Sequence, residues 1–325
     1  MSVSYFPLNK RTENVYIQKK DHKRNMRYIG IIDMGSNAIR FIIFATGGKE
    51  LSEEYYKRSV IRLGDDAFRF GKFTKETIKN VISEIREFKS VCQSYQCSSI
   101  YGVATSAVRE SENGQELLDE IERHVSIKIK KITGNEEAEI IARAVYQKIK
   151  IDHFLHVDLG GGSLECIEFS DGKLGLLHSF PIGNNRFLDQ LSGTDIRREK
   201  QLETIIDTAF SSHFNINGHF KTISLTGGSS NYIAEFLLGS NAEKKALTLS
   251  AETFVSFKSH LQGRSVEQLQ HELNIRKDRA ETIGISHAIF SRLIEKFGAE
   301  EIIVPFTGLR EGLVSYLSEE EKGNE

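Results

Sequence analysis

The sequence has no tryptophan and contains only three cysteines, three prolines and three methionines among its 325 residues. Cys92, Cys97 and Cys166 are too few and too irregularly spaced for a disulfide framework, and they indicate a reducing compartment. No run approaches the roughly 18 to 20 apolar residues of a membrane span, and the first residues lack the apolar centre of a signal peptide. We therefore expect a cytoplasmic protein without a membrane partner.

Excess charge of either sign is also absent. The formal net charge is -2, with 39% hydrophobic and 27% charged residues, which is the balance of a globular protein long enough for two domains. We expect no nucleic-acid partner, and a phosphate-rich ligand would have to be held by local features such as helix ends, amides or a metal ion. Basic residues are frequent in residues 1–27, which we expect to be a disordered tail, although a polyanion-binding arm is an alternative.

One pattern occurs twice in the chain. A strand that ends in aspartate, a turn rich in glycine and hydroxyl groups, and a returning strand occur at Asp33 and again at Asp158, about 125 residues further on. Strands alternate with amphipathic helices between these points, which indicates an α/β fold. The repetition predicts two related domains around a cleft, residues 28–132 and residues 133–308.

The first turn, Asp33-Met34-Gly35-Ser36-Asn37, has the composition of a phosphate-binding loop. Gly35 allows a tight turn and a close approach of phosphate to the amides, and Ser36 and Asn37 add side-chain donors. Asp33 can hold a metal directly or through water. The same residues also make a good hairpin, so the turn by itself leaves both interpretations open.

The second turn carries a stronger signal. Gly160, Gly161 and Gly162 precede Ser163, and consecutive glycines inside a strand-turn-strand unit indicate a close backbone approach. Asp158 and Glu165 flank the turn on adjacent strands, where two carboxylates near one metal suit Mg²⁺. A flexible hairpin is the alternative.

Two further segments have both a functional and a structural interpretation. Thr105 and Arg109 belong to a helix start that can bind an anion, but an N-cap with a solvated arginine explains them equally well. Glu136 lies in the first turn of a predicted helix, where acidic residues are ordinary because they complement the helix dipole.

Taken together and in this order, these segments resemble the exopolyphosphatase and guanosine pentaphosphate phosphatase family. The matching segments are Ile32–Asn37, Ala104–Glu110, Gly134–Ala138, Val157–Glu165, Thr226–Ser229 and Gly308–Gly312. They extend over residues 28–317. The glycine turns are shared with actin, sugar kinases and heat-shock chaperone ATPases, whereas the segments at Thr105–Arg109 and Asn135–Ala138 single out this family.

The resemblance implies two ribonuclease-H-like domains of the actin, sugar kinase and heat-shock chaperone ATPase superfamily around a central cleft, with residues 309–320 returning to the first domain. It also implies that Glu136 is the general base that activates water, and that Asp33, Asp158 and Glu165 organise Mg²⁺. The implied phosphate contacts are Gly35, Ser36, Asn37, Thr105, Arg109, Gly160, Gly161, Gly162, Ser163, Gly227 and Gly228.

The implied activity is Mg²⁺-dependent removal of the terminal phosphate of inorganic polyphosphate, and we expect a homodimer. Hydrolysis of guanosine pentaphosphate is the first alternative, and a kinase on the same fold is another. The chain departs from the family at Glu139, where arginine is usual, and at Ser106, where glutamate is usual. Because Glu139 replaces a cation near the base, a non-catalytic sensor that binds polyphosphate or an alarmone is a third alternative.

Overall fold

Two mixed β-sheets with helices packed on their faces form the framework of the chain. The computed structural model describes residues 15–17, 26–46, 52–188, 195–213, 219–239 and 245–323. Contacts divide the chain into two units, Met1–Thr133 and Gly134–Glu325. Each unit contains one six-stranded sheet, which confirms the predicted α/β class.

The first unit has six strands and four helices in its described segments. The strands are β1 (Val15–Ile17), β2 (Arg27–Met34), β3 (Ile39–Thr46), β4 (Ser52–Ser59), β5 (Ser99–Ala104) and β6 (Ile129–Lys131). The helices are α1 (Leu63–Phe70), α2 (Lys75–Ser94), α3 (Ser106–Glu110) and α4 (Gly114–Val125).

The described part of the second unit is richer in helix. Its strands are β7 (Phe154–Leu159), β8 (Leu164–Ser170), β9 (Lys173–Phe180), β10 (Thr222–Thr226), β11 (Leu247–Ser250) and β12 (Glu301–Val304). Its helices are α5 (Gly134–Lys148), α6 (Asn184–Leu188), α7 (Asp195–His213), α8 (Gly228–Leu238), α9 (Ala251–Ser256), α10 (Lys258–Leu261), α11 (Val266–Glu272), α12 (Lys277–Ala280), α13 (Ile283–Phe297) and α14 (Leu309–Gly323).

The two sheets share one strand order at their centre. In the first sheet the order is β1-β4-β3-β2-β5-β6, with β2, β3 and β4 antiparallel and with β5 and β6 parallel to β2. In the second sheet the order is β11-β12-β10-β7-β8-β9, with β7, β8 and β9 antiparallel and with β10 and β12 parallel to β7. Asp33 and Asp158 therefore occupy equivalent positions, one residue before the ends of the two leading strands.

Helix α2 shows how local sequence sets these elements. Thr74 is its N-cap, and the hydroxyl of Thr74 accepts a hydrogen bond of 3.1 Å from the backbone N–H of Thr77. Val81, Ile85 and Phe88 recur at helical spacing and are buried in the core of the first unit. This apolar stripe is the face of α2 that packs on the sheet.

A capping box formed by Ser265 and Gln268 starts α11. The apolar pattern of residues 277–297 would suit one long helix, but the segment forms two helices, α12 and α13. The break coincides with Thr282, whose hydroxyl donates to the carbonyls of Asp278 and Arg279 at 3.2 and 3.3 Å. Side-chain hydrogen bonds of this kind compete with the regular helix ladder.

Two predictions concern the ends of the chain, the tail at residues 1–27 and the helix at residues 309–320. The predicted tail, residues 1–27, lies largely outside the described residues, but Val15–Ile17 within it pairs antiparallel with β4. Residues 309–320 belong to α14, whose described contacts include α5 of the second unit, where a Cβ on Gly312 would lie 2.0 Å from the carbonyl oxygen of Ile140. Among the described helices, none combines the length and the apolar run that a membrane crossing needs.

Candidate functional site

In the first unit, the turn that follows Asp33 connects β2 to β3 and places an arginine opposite the aspartate. Asp33 pairs directly with Arg40 in the antiparallel register, and Nη1 of Arg40 donates to Oδ2 of Asp33 at 2.9 Å. The carboxylate side chain is 6% exposed and the arginine 33%. A buried carboxylate with a cationic partner is stabilised as an ion pair, so the negative charge predicted to organise a metal is balanced within its own hairpin.

Side-chain and backbone hydrogen bonds hold this first turn in place. Oγ of Ser36 lies 2.8 Å from Oγ of Ser106, the first residue of α3, and both hydroxyls are buried. The carbonyl oxygen of Ser36 accepts from the N–H of Gly64 at 2.8 Å, and that of Asn37 accepts from the N–H of Arg62 at 3.1 Å. The turn is thus fastened to the starts of two helices, α1 and α3.

Thr105 and Arg109, the predicted phosphate contacts of the α3 segment, both bond to backbone carbonyls. The hydroxyl of Thr105 donates to the carbonyl of Met34 at 3.4 Å, and its N–H donates to the same oxygen at 3.2 Å. Nη1 of Arg109 donates to the carbonyl of Ile132 at 2.9 Å. A guanidinium carries five N–H donors, so this bond orients Arg109 while using one of them.

In the second unit, the equivalent turn places two carboxylates side by side. Asp158 on β7 pairs directly with Glu165 on β8, and directly opposed residues of antiparallel strands point to the same face of the sheet. Glu165 is buried, and its Oε1 accepts a hydrogen bond of 2.7 Å from the hydroxyl of Ser179 on β9. The sequence prediction that Asp158 and Glu165 flank the turn on adjacent strands is confirmed as geometry.

The carbonyl groups of the second glycine turn all bond to the start of α6. The oxygens of Gly160, Gly161 and Gly162 accept from Asn184 N–H at 3.2 Å, Asn185 N–H at 2.8 Å and Arg186 Nε at 3.1 Å, respectively. In a trans peptide the N–H points opposite to the C=O. The N–H groups of Gly161, Gly162 and Ser163 therefore point away from α6. Successive backbone N–H groups that point outward from a turn can bind an anion.

Glycine is required at two positions beside this turn. A Cβ on Gly183, in the loop before α6, would lie 2.5 Å from the backbone of Gly161 and Gly162. Gly227 has a φ of +119°, and a Cβ there would lie 2.6 Å from the carbonyl oxygen of Leu159. The glycine-rich turn predicts that another group approaches its backbone closely. In the structure, the approaching groups are Gly183 and Gly227 of neighbouring loops.

A cation that the sequence analysis missed lies beside Gly228. A Cβ built on Gly228 would be 2.9 Å from a terminal nitrogen of Arg279, a residue of α12 whose guanidinium carbon lies 5.8 Å from the centre of the Tyr232 ring. The start of α8, with its aligned N–H groups, and an arginine therefore occur together, a combination that favours anions.

Helix α5 covers the face of the second sheet that carries the two carboxylates. Phe154, Ile167 and Phe169 pack with apolar residues of α5 in one cluster. Because side chains alternate between the faces of a strand, Asp158 and Glu165 lie on the same face as these three.

The last turns of α5, at the opposite end of the helix from Glu136, pack near the start of β7, because Tyr146 stacks on Phe169 and Phe169 pairs with Phe154. The rings of Tyr146 and Phe169 stack with centroids 6.1 Å apart, and the short connection 149–153 leads directly from α5 into β7. From Tyr146 back to Glu136 the helix spans about 15 Å, and from Phe169 back to Glu165 the strand spans about 14 Å. Glu136 is half-buried in the first turn of α5. The two similar lengths favour a position of this residue toward the end of the sheet that carries Asp158 and Glu165, and its role as the base stays a prediction.

Glu139, the residue that departs from the family pattern, is exposed on α5. Charges in contact with water interact weakly because the solvent and its ions screen them. The negative charge at this position therefore has little influence on its surroundings compared with the half-buried Glu136.

The carboxylates of the second unit fit a magnesium ion. In the part of the chain that the structure describes, no group of three or more His, Cys, Asp and Glu side chains is arranged to hold a metal. Mg²⁺ needs no such cage, because proteins usually hold it with one or two carboxylates and leave its other positions to waters and substrate phosphates. The opposed pair Asp158 and Glu165 provides that donor set.

Comparisons with known proteins give a match to one family model and to individual relatives. The model of the Ppx/GppA phosphatase family matches residues 47–321. Exopolyphosphatase 1 of Mycobacterium tuberculosis is 29% identical over 161 residues, which are 49% of this chain and 47% of that protein. The guanosine-5'-triphosphate,3'-diphosphate pyrophosphatase of Aeromonas hydrophila is 25% identical over 293 residues, 87% of this chain and 58% of that protein. The chain spans about half the length of the curated relatives it matches.

Solved structures share the fold. The Ppx/GppA family member of Aquifex aeolicus superposes with a TM-score of 0.79 at 23% identity, covering 93% of this chain and 100% of that one. An exopolyphosphatase from Cytophaga hutchinsonii superposes with a TM-score of 0.82 at 23% identity, covering 90% of this chain and 97% of that one. These likenesses confirm the fold predicted from the sequence.

Proposed function

Because the chain belongs to the Ppx/GppA phosphatase family, we propose that it hydrolyses the terminal phosphoanhydride bond of inorganic polyphosphate. The observation that supports this proposal is the opposed pair Asp158 and Glu165 at one end of the second sheet, on the face that packs against α5, the helix whose first turn contains Glu136. Glu136 is not part of the opposed pair, and we assign it a task other than metal binding.

That task is general-base catalysis. Glu136 takes a proton from a water whose oxygen attacks the terminal phosphorus. The bond from that phosphorus to the bridging oxygen breaks, the shortened chain leaves with the electron pair, and orthophosphate is released. Phosphoryl transfer depends mainly on positioning and charge stabilisation, and a positioned base contributes about 10²- to 10⁴-fold to the rate.

The rest of the second unit supplies positive charge and hydrogen-bond donors. We assign the amides of Gly161, Gly162 and Ser163, which point away from α6, and the guanidinium of Arg279 beside Gly228 to the binding of phosphate oxygens. When bound, Mg²⁺ would be held by Asp158 and Glu165 and would neutralise charge on the phosphate oxygens.

Residues of the first unit are proposed as additional phosphate contacts. Ser36 and Asn37 belong to a turn fastened to two helix starts, which keeps its donors in place. Arg109 is oriented by its bond to Ile132. Thr105 is the weaker candidate of this group because its hydroxyl donates to the carbonyl of Met34.

Guanosine pentaphosphate is the second candidate substrate. The relative matched across 87% of this chain is a guanosine-5'-triphosphate,3'-diphosphate pyrophosphatase, and removal of its 5'-terminal phosphate uses the same chemistry. Side-by-side rates of phosphate release from short polyphosphate, long polyphosphate and guanosine pentaphosphate, with and without Mg²⁺, distinguish the two activities.

The decisive variant is Glu136→Gln, with Glu139→Gln as a matched control on the same helix. We expect Glu136→Gln to bind polyphosphate while losing about 10²- to 10⁴-fold in kcat, and Glu139→Gln to stay within about threefold of the wild type, because its charge is exposed. Hydrolysis by Glu136→Gln at the wild-type rate would contradict the assigned base. Binding without Mg²⁺-dependent turnover in the wild type would instead support the sensor alternative.

A further inference from the structure

A fully buried histidine lies directly behind Asp158. His156 is two residues earlier on β7, its side chain has 0% exposure, and residues two apart on a strand share a face. A polar ring in the interior of a sheet is costly unless both nitrogens find partners.

Both nitrogens of His156 have hydroxyl partners on the neighbouring strand β10. Nδ1 lies 3.0 Å from Oγ of Ser224, and Nε2 lies 3.1 Å from Oγ1 of Thr226. The register explains the match, because Ser224 pairs with His156 and Thr226 pairs with Asp158. Thr226 in turn donates its hydroxyl proton to Oδ1 of Asp158.

The direction of each hydrogen bond follows from the acceptor at the end of the chain. An ionised carboxylate only accepts, so the single proton of the Thr226 hydroxyl is used on Asp158. Thr226 must then accept from His156, which places the ring proton on Nε2. In the tautomer with its proton on Nε2, Nδ1 is the acceptor of the ring, and it faces the hydroxyl of Ser224. Along the series Ser224, His156, Thr226 and Asp158, each group therefore donates its proton to the next, and the Asp158 carboxylate is the final acceptor.

The first unit shows that the fold does not need this arrangement. At the equivalent positions, the residue two before Asp33 is Ile31 and the parallel-strand partner of Asp33 is Val103, both apolar. The series of hydrogen bonds through His156 and Thr226 is therefore found at Asp158, which we propose as a metal ligand, and has no counterpart at these positions beside Asp33.

We propose that His156 is a positioning residue, which acts through the Thr226 hydroxyl to hold one oxygen of Asp158 and so fixes the carboxylate for metal binding. The proposal rests on the proposed function only for the role of Asp158 as a metal ligand. Hydrogen bonds that orient a metal ligand typically contribute about 10- to 100-fold to metal affinity.

The variants separate a positioning role from a merely structural one. Thr226→Val removes the hydroxyl at nearly constant shape, and Thr226→Ser retains it. His156→Leu removes both nitrogens, whereas His156→Gln keeps an N–H donor for Thr226. Thermal unfolding confirms which variants fold.

Two readouts do not depend on turnover. The first is Mn²⁺ binding by electron paramagnetic resonance with the metal alone. We expect about a tenfold or greater rise in the dissociation constant for Thr226→Val and His156→Leu, and recovery to within about threefold for Thr226→Ser and His156→Gln. The second is ¹⁵N NMR of the wild type, in which His156 should carry its proton on Nε2.

A double-mutant cycle completes the test. If His156 acts through Thr226, adding His156→Leu to Thr226→Val leaves the Mn²⁺ dissociation constant unchanged. A further tenfold rise in the double variant, or a proton on Nδ1 in the wild type, would overturn the proposal. Should His156→Leu fail to fold, the Thr226→Val and Thr226→Ser pair and the NMR measurement still decide. Absence of phosphate release by the wild type would overturn the proposed function but not these two readouts.

Discussion

The turns after Asp33 and Asp158 occupy equivalent places in two sheets of the same central order, yet their surroundings differ in charge. Asp33 faces Arg40 across its hairpin, whereas Asp158 faces Glu165. The first pair is neutral as a unit and the second is negative. Equivalent backbone positions thus carry different side-chain pairs, and the second pair is the one that we propose for a divalent cation.

The turns also differ in how they are held. The first depends in part on a hydrogen bond between the Ser36 and Ser106 side chains. The second depends on backbone carbonyls and on the close approach of Gly183 to Gly161 and Gly162. Loss of a hydroxyl should therefore destabilise the first turn, whereas an added side-chain atom should destabilise the second.

The largest expected effect tests the difference in charge. Asp158→Asn keeps an oxygen for the Thr226 hydroxyl but removes the negative charge, so we expect the Mg²⁺ concentration for half-maximal activity to rise at least about tenfold and kcat to fall about 100-fold or more. Asp33→Asn, whose charge is already balanced by Arg40, should leave the Mg²⁺ requirement within about threefold. Phosphate release across a Mg²⁺ titration measures both, and equal shifts would show that the two aspartates share one metal role.

The second prediction concerns the backbone approach. Gly183→Ala adds a Cβ 2.5 Å from backbone atoms of the glycine turn, which must move, and we expect a loss of about 1–3 kcal/mol in the free energy of unfolding together with reduced activity. Gly35→Ala brings a Cβ only to 3.2 Å from the carbonyl oxygen of Ala38 and should cost less than about 1 kcal/mol. Urea unfolding compares the two, and a greater cost at Gly35 would reverse the distinction.

The two hairpins could be predicted from the sequence because they depend on residues that are close together in the chain. The alternation of strand, Asp, glycine turn and returning strand predicts both hairpins, and the position of Glu165 opposite Asp158 follows from counting residues around the turn. The same counting places Arg40 opposite Asp33.

Other parts of the site depend on tertiary packing. Arg279 is about 50 residues from Gly228 in the chain, and only the folding of α12 against the start of α8 brings them together. The partners of His156 lie on β10, at residues 224 and 226, so periodicity within β7 gives no sign of them and predicts only strand packing. The predicted homodimer and cytoplasmic location stay predictions.

The smallest expected effect tests the side-chain fastening of the first turn. Ser36→Ala and Ser106→Ala each remove one partner of a buried 2.8 Å hydrogen bond, and we expect each to lower the free energy of unfolding by about 1 kcal/mol. Because both remove the same bond, the double variant should cost less than the sum, with a coupling energy of about 0.5–1.5 kcal/mol. Ser90→Ala, which removes an exposed hydroxyl bonded to a helix carbonyl, is the control and should stay within about 0.5 kcal/mol. Additive losses at Ser36 and Ser106 would mean that each hydroxyl is stabilised by something other than its partner, and the first turn would then resemble the second in being held by its backbone.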